Sequence, residues 1–268
     1  MNYNIELSNS LNVRIFEKIK SKYLLDIQPS VNPKGVILGG QPDSGKSFLQ
    51  KDIAKEFTED FIFISTDDLR LYHPAYLELQ QNPETVQNAA NLVNPHASAW
   101  TEKLIKHCIE NKYNLIIDST LGGNIQAVYD TIDMFRNNGY EVHLRVMAVP
   151  AIISKLSIFL RYETQLAEKG FARWTRMEDH DDRFNKLKIN LLEIQNTKKP
   201  DSIKFYERVL GETGTTQLRC LEDFEVKDLG NVEVNSDKLF FIKQMTEKVK
   251  NLIQNRGGEV PDFDKLSN

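Results

Sequence analysis

The chain has 268 residues, 40% of them hydrophobic and 27% charged, with a formal net charge of −4. That length buries a full core, most simply one large α/β domain with additions, and the acidic balance excludes a generalised nucleic-acid surface. No apolar run approaches membrane-spanning length, no basic-then-apolar leader opens the chain, and Cys108 and Cys220 stand far apart without a C-x-x-C, so the expectation is a cytoplasmic protein with buried thiols.

In chain order, residues 10–25 carry Leu11, Ile15, Phe16, Ile19, Tyr23 and Leu24 at helical intervals, which predicts an amphipathic helix. Pro29 and Pro33 separate it from Val36-Ile37-Leu38, a short apolar run that reads as a buried strand. Gly40-Gln41-Pro42-Asp43-Ser44-Gly45-Lys46-Ser47 follows and fits G-x-x-x-x-G-K-[ST]. Gly40 and Gly45 let the backbone curl so that its N–H groups face phosphate oxygens. Lys46 brings a mobile ammonium to the β- and γ-phosphates, and Ser47 offers a hydroxyl to Mg²⁺. Residues 48–57 are apolar at helical spacing, so the loop opens a helix whose dipole favours an anion. A chance match in a turn would lack the strand before and the helix after.

Phe61-Ile62-Phe63-Ile64 predicts a second strand, covered on both faces. Residues 114–118 and 141–149 predict a third and a fourth, with helices over 97–111 and 124–138 between them, the latter closed by Asn137-Asn138-Gly139. This alternation predicts an α/β fold, a P-loop NTPase or kinase-like parallel sheet with helices on both faces. Residues 150–168 and 178–197 read as helices, a candidate lid. Lys198-Lys199-Pro200 reads as a boundary, residues 202–235 hold short β-like runs, a last helix spans 237–255, and the tail from Gly257 is expected to fray. The division expected is an N-terminal helix and linker over 1–34, a P-loop kinase core with helical lid over 35–197, and a C-terminal extension over 198–268.

The second strand ends at Ser65-Thr66-Asp67-Asp68. In a doubly wound sheet this end faces the ligand crevice, where a carboxylate can accept a proton from an acceptor hydroxyl or hold Mg²⁺ through water. Asp67 can equally cap the next helix, and that role is expected more of Asp68. The third strand ends at Asp118, which resembles a Walker B carboxylate reaching a metal and can equally bind a backbone N–H. Arg161, Arg173 and Arg176 fit a lid that neutralises phosphate charge, although Glu163, Glu168 and Glu178 beside them also fit a solvated helix face. The five histidines show no metal-ligand spacing, no Ser–His–Asp nucleophile arrangement is readable, and Trp100 reads as packing.

Taken together, G-Q-P-x-S-G-K-S, D-x-L-R-x-x-H-P, I-I-D-S-T, R-Y-E and A-R-W-T followed by His180-Asp181 resemble, in order and spacing, the zeta toxin family, P-loop kinases of bacterial toxin–antitoxin systems. The resemblance covers about residues 10–195. It implies transfer of the ATP γ-phosphate to the 3′-hydroxyl of the N-acetylglucosamine unit of UDP-N-acetylglucosamine, with Mg²⁺. It implies that Asp67 is the catalytic base, that Lys46 and Ser47 keep their P-loop roles, and that Arg161 and Arg173 contact ATP phosphates. Glu102 and Thr120 fall where the family contacts the UDP-sugar, and the implied partner is a small helical antitoxin that blocks the ATP site. Three positions depart from the pattern: Asp43 replaces a small residue in the loop, Leu69 an aromatic, and Gly122 an arginine that helps hold the substrate. Glycine at 122 implies weaker UDP-sugar binding, which an arginine placed there should tighten.

Three other readings share parts of this pattern. A P-loop kinase of another small acceptor, an antibiotic or metabolite, keeps the chemistry. A polynucleotide kinase also uses a strand-end Asp, against which the absence of a basic stripe counts. A non-catalytic nucleotide switch would not need Asp67 and paired arginines.

Overall fold

The structure, a computed structural model, describes residues 5–197, 200–210 and 215–267. Its first half runs α1 (Asn9–Tyr23), β1 (Lys34–Gly39), α2 (Lys46–Ile53), β2 (Ile62–Ile64), α3 (Thr66–Arg70), α4 (Tyr76–Gln81), α5 (Ala89–Glu110) and β3 (Leu115–Asp118). The rest runs α6 (Ile125–Asn137), β4 (Glu141–Met147), α7 (Ala151–Lys169), α8 (Met177–Thr197), β5 (Ser202–Leu210), β6 (Thr216–Leu221) and α9 (Ser236–Asn255).

Every residue of β1 after Lys34 is buried, because the strand lies in mid-sheet with helices over both faces. Successive side chains alternate between the faces. Ile37 joins Leu115, Ile117, Leu144 and Val146 in one core, against α1, α5, α6 and α8. Val36 and Leu38 join Ile116 and Met147 in the other, against Leu49 and Ile53 of α2. Among the described residues the strand order is β2-β3-β1-β4-β5-β6. The first five strands pair in parallel, in registers such as Ile37↔Ile117 and Ile37↔Leu144. The order reverses direction at β1, which sets a crevice at its carboxyl end.

Four local expectations are corrected. The segment after residue 200 supplies two strands of this same sheet, and the second, β6, pairs antiparallel with β5, so the sheet is mixed at that edge. Helix α5 begins eight residues before the expected 97 and carries Pro95 inside it. An interior proline costs a helix about 3 kcal/mol, which burial of Ala89, Ala90 and Val93 against Tyr76 and Leu79 offsets. Ser65, not Asp68, is the N-cap of α3, and both Asp67 and Asp68 lie in its first turn. The tail does not fray as a whole: Phe263 is buried edge-on against Phe159, in the core that α7 shares with α9.

Candidate active site

Two cavities meet at the carboxyl ends of β1, β2 and β3. The larger, about 1210 Å³, is lined by residues that include Asn94, Ser98, Thr120, Arg173 and Arg183. The smaller, about 470 Å³, is lined by Gly45, Ser47, Phe48, Ser157 and Arg208 among others. Asp43, Lys46, Asp67, Asp118 and Arg161 line both.

The loop between β1 and α2 takes the shape its glycines allow. Gly40 has φ +143° and Gly45 φ +105°, a region that side-chain-bearing residues rarely adopt. A Cβ on Gly40 would lie 2.5 Å from Ser44 Oγ. Gly45 caps α2 with no side-chain hydrogen bond, so the Lys46 and Ser47 N–H groups of the first turn are left for a ligand. Lys46 Nζ donates to Gly40 O at 3.2 Å, folding the ammonium over the loop. Pro42 lines the larger cavity, Ser47 is exposed in the smaller one, and Ser44 is buried beneath them.

The Gln41 side chain does structural work. It is fully buried, and its Nε2 donates to Val149 O and to Ser154 Oγ, each at 3.1 Å. Ser154 Oγ lies 2.8 Å from His180 Nε2, and His180 Nδ1 lies 2.8 Å from Asp181 Oδ1. Lys155 Nζ closes the chain at 3.2 Å from Asp181 Oδ2. The order mimics a Ser–His–Asp triad, but Ser154 and His180 are both shut off from solvent, so the relay fastens the loop to α7 and α8. Burial lowers the His180 pKa and keeps the ring neutral.

The carboxylates differ in setting. Asp118 is half-buried at the end of β3, where burial pushes its pKa up against the pull of Lys46. Its Oδ2 accepts from Ser65 Oγ at 3.4 Å, and its Oδ1 has no partner among the described residues. That buried lone oxygen, with the Ser47 hydroxyl on the same cavity, fits a hard divalent cation. Asp67 is mostly exposed and faces two arginines. Arg70 donates to its Oδ1, and Arg173 Nη1 lies 3.9 Å from its Oδ2. Arg70 also donates to Asn94 Oδ1 at 2.8 Å, and Asn94 donates to Ser98 at 3.1 Å, so α5 sets the position of the Asp67 carboxylate.

Asp43, at φ +58°, turns its carboxylate inward. Arg161 Nη1 lies 3.1 Å from Oδ1, while Oδ2 is buried with no partner among the described residues. Burial outweighs Arg161 and Lys46, and the Asp43 pKa is raised. Arg161 also donates to Thr175 Oγ1 at 2.7 Å, in the segment that carries Arg173. Of the three arginines expected of a lid, Arg161 thus faces the loop and Arg173 faces Asp67. Arg176 instead pairs with Asp179 on α8, on the rim of the larger cavity.

Thr120 lines the larger cavity, and its hydroxyl accepts from Gly122 N at 3.2 Å. Glu102 is exposed on α5, a turn past Ser98, and lines neither cavity. Gly122 corrects the expectation that an arginine there would tighten binding. A Cβ at Gly122 would lie 2.2 Å from the backbone oxygen of Arg183, so no side chain fits. Arg183 donates to Gly122 O at 3.1 Å and itself lines the cavity.

Sequence reasoning missed Arg70, Asn94, Ser98, Arg183 and Arg208. Asn91, Asn94 and Ser98 fall at helical spacing along one face, a signal hidden when the helix is started after Pro95. Arg208 carries no local signal, because β5 reads only as a β-like run.

The zeta toxin family model matches residues 20–216. Toxin zeta of Streptococcus pyogenes is 29% identical over 266 residues, 97% of this chain and 88% of its own length. A chain from the solved PezAT chromosomal toxin–antitoxin system of the human pathogen Streptococcus pneumoniae superposes with a TM-score of 0.77 at 22% identity, covering 93% of this chain and 98% of that one. A chain of the AvrRxo1-ORF1:-ORF2 crystal structure with ATP shares the fold at a TM-score of 0.58 and 12% identity, covering 97% of this chain and 89% of that one. With the family model spanning the phosphate loop, both strand-end carboxylates and the lid arginines, the chain belongs to the zeta toxin family, kinase-like proteins of toxin–antitoxin systems.

Proposed function

We propose that this chain is an ATP-dependent kinase that transfers the γ-phosphate to the 3′-hydroxyl of the N-acetylglucosamine unit of UDP-N-acetylglucosamine. The observation that carries this reading is the junction, where Lys46, Asp67, Asp118 and Arg161 line both cavities. Phosphoryl transfer requires donor and acceptor to reach one charged centre from two sides. The loop N–H groups and Lys46 hold the donor's phosphates, with the rest of the nucleotide in the smaller cavity. The acceptor fills the larger one. Asp67, kept in place by Arg70, takes the proton of the attacking hydroxyl. Arg161 and Arg173 balance charge as it develops on the transferred group. Ser47 and Asp118 would hold Mg²⁺, which when bound neutralises phosphate charge.

Supporting this reading are the family match, the ATP in the AvrRxo1-ORF1:-ORF2 neighbour, and the carboxylate–arginine pairs at the junction. The PezAT relative supports an antitoxin partner, here proposed as a small helical protein that covers the ATP site in the cytoplasm. The test is mass spectrometry of a UDP-sugar panel after incubation with enzyme and ATP. One added phosphate on UDP-N-acetylglucosamine, absent with Asp67→Asn, is expected. A second reading, a different alcohol acceptor, is favoured by the closed Gly122 position, which leaves the acceptor side to Arg183, Asn94 and Ser98. An enzyme inert toward every UDP-sugar but able to phosphorylate another component of a metabolite extract would decide for it. Growth arrest on expression of the parent but not of Asp67→Asn is the expected cellular result.

A further inference from the structure

Arg208 is the least explained charge near the junction. It comes from β5, beyond the segment in which sequence motifs are readable. Its side chain is more than nine-tenths buried, yet it lines the smaller cavity beside Gly45, Lys46, Ser47 and Phe48. Nη1 donates to Ser157 Oγ at 2.8 Å, while Nε has no partner among the described residues. The carboxylate that acts on it is Asp43, which Arg161 already engages at 3.1 Å. Its guanidinium lies 5.9 Å from the Phe48 ring centre, on α2, and 5.2 Å from that of Phe241, on α9. Contact with the loop is tight, since a Cβ on Gly45 would lie 2.9 Å from Arg208 Cδ. Burial disfavours the charged form and draws the Arg208 pKa down to about 10, so it stays cationic at neutral pH. A buried cation without a dedicated counter-ion is costly unless a ligand completes it.

We infer that Arg208 completes the nucleotide site by binding the phosphate nearest the nucleoside, on the side of α2 away from the transfer centre. The inference rests on the kinase reading above. The transferred phosphate must lie at the junction with Asp67, which both cavities share, whereas Arg208 lines the smaller cavity alone. A phosphate chain running from the junction over the loop therefore reaches Arg208 at its other end. There the Lys46 and Ser47 N–H groups at the start of α2 and a guanidinium fork converge on one anion. This gives the C-terminal strand and helix a direct part in the site: β5 carries the cation, and Phe241 of α9 backs it.

The test is titration calorimetry of parent, Arg208→Met and Arg208→Lys with Mg-ATP, Mg-ADP and magnesium pyrophosphate, together with the melting temperature of each unliganded protein. Arg208→Met should weaken ATP and ADP alike by about 10- to 150-fold and leave pyrophosphate, which lacks the nucleoside-side phosphate, within about twofold. Its melting temperature should hold or rise, because a buried cation is replaced by an apolar chain of similar length. Arg208→Lys should fall between. Equal ATP affinity in parent and Arg208→Met overturns the inference, as does an equal loss for pyrophosphate. So does a melting temperature lowered by both substitutions without a selective loss of nucleotide, which would make Arg208 a structural residue. A parent that binds no ATP would overturn the kinase reading itself, an outcome distinct from these.

Discussion

On the strand-end side of the site, charges are held by the sheet. Asp118 closes a buried strand, Ser65 hydrogen-bonds it, and the loop of Gly40 to Ser47 is shaped by two positive-φ glycines. On the lid side, charges are held by long side chains reaching across. Arg161 rests on Asp43, and Arg173 faces Asp67 at 3.9 Å. The first side is preorganised and meets a ligand without rearrangement. The second side spends its cations on protein carboxylates until phosphate competes for them. On the proposed kinase reading, binding and release are tuned on the lid side, while the identity of the chemistry is set on the strand-end side.

The sharpest break of this contrast is Lys46→Ala, which removes the one mobile cation of the preorganised side. Transfer should fall by about 10³-fold, with ATP affinity falling alongside, measured as kcat/KM and by calorimetry. Near-parental turnover would place the active site elsewhere. Asp67→Asn comes next. Its amide keeps the shape but takes no proton, so kcat should fall by about 10²-fold or more while nucleotide binding survives. Full activity would pass the base role to Asp68 or Asp118.

Arg161→Met and Arg173→Met probe the lid, with an expected loss of about 10-fold in kcat and a smaller change in KM for ATP. A loss of stability with unchanged kinetics of the folded fraction would return both to purely structural roles. Gly122→Arg should act through packing. Its Cβ would meet the Arg183 backbone at 2.2 Å, so a cost of about 1–3 kcal/mol, read as a lower melting temperature, replaces any gain in UDP-sugar affinity. Tighter binding with unchanged stability would show that α8 moves freely.

The smallest effect concerns Asp43. Its folded pKa is raised, so its contribution to stability is fully present below about pH 4 and is lost as pH rises through the folded value. Asp43→Asn should therefore raise the melting temperature at pH 7 by a few degrees, and by less at pH 4, where more of the native carboxyl is protonated. It should also free Arg161 and tighten ATP. An equal change at both pH values would mean that Arg161 fully compensates the charge.

The phosphate loop, the strand-end placement of Asp67 and Asp118, and the first four strands in chain order were determined by the sequence itself. Each rests on short-range physics: glycine's access to positive φ, the continuous apolar run of a strand covered on both faces, the 3.6-residue period of a helix. These act within one element or across one turn, so they are written in neighbouring residues. Tertiary structure alone decided that Arg183 fills the space at Gly122, 61 positions away, that Arg161 rests on Asp43, and that β5 sets Arg208 beside Gly45. It also carried α5 through Pro95 and kept Glu102 out of the cavities. Such pairings depend on strand order and on which helix faces pack together. A buried arginine finds its role only when the sheet brings β5 next to β4, and no local periodicity records that neighbour.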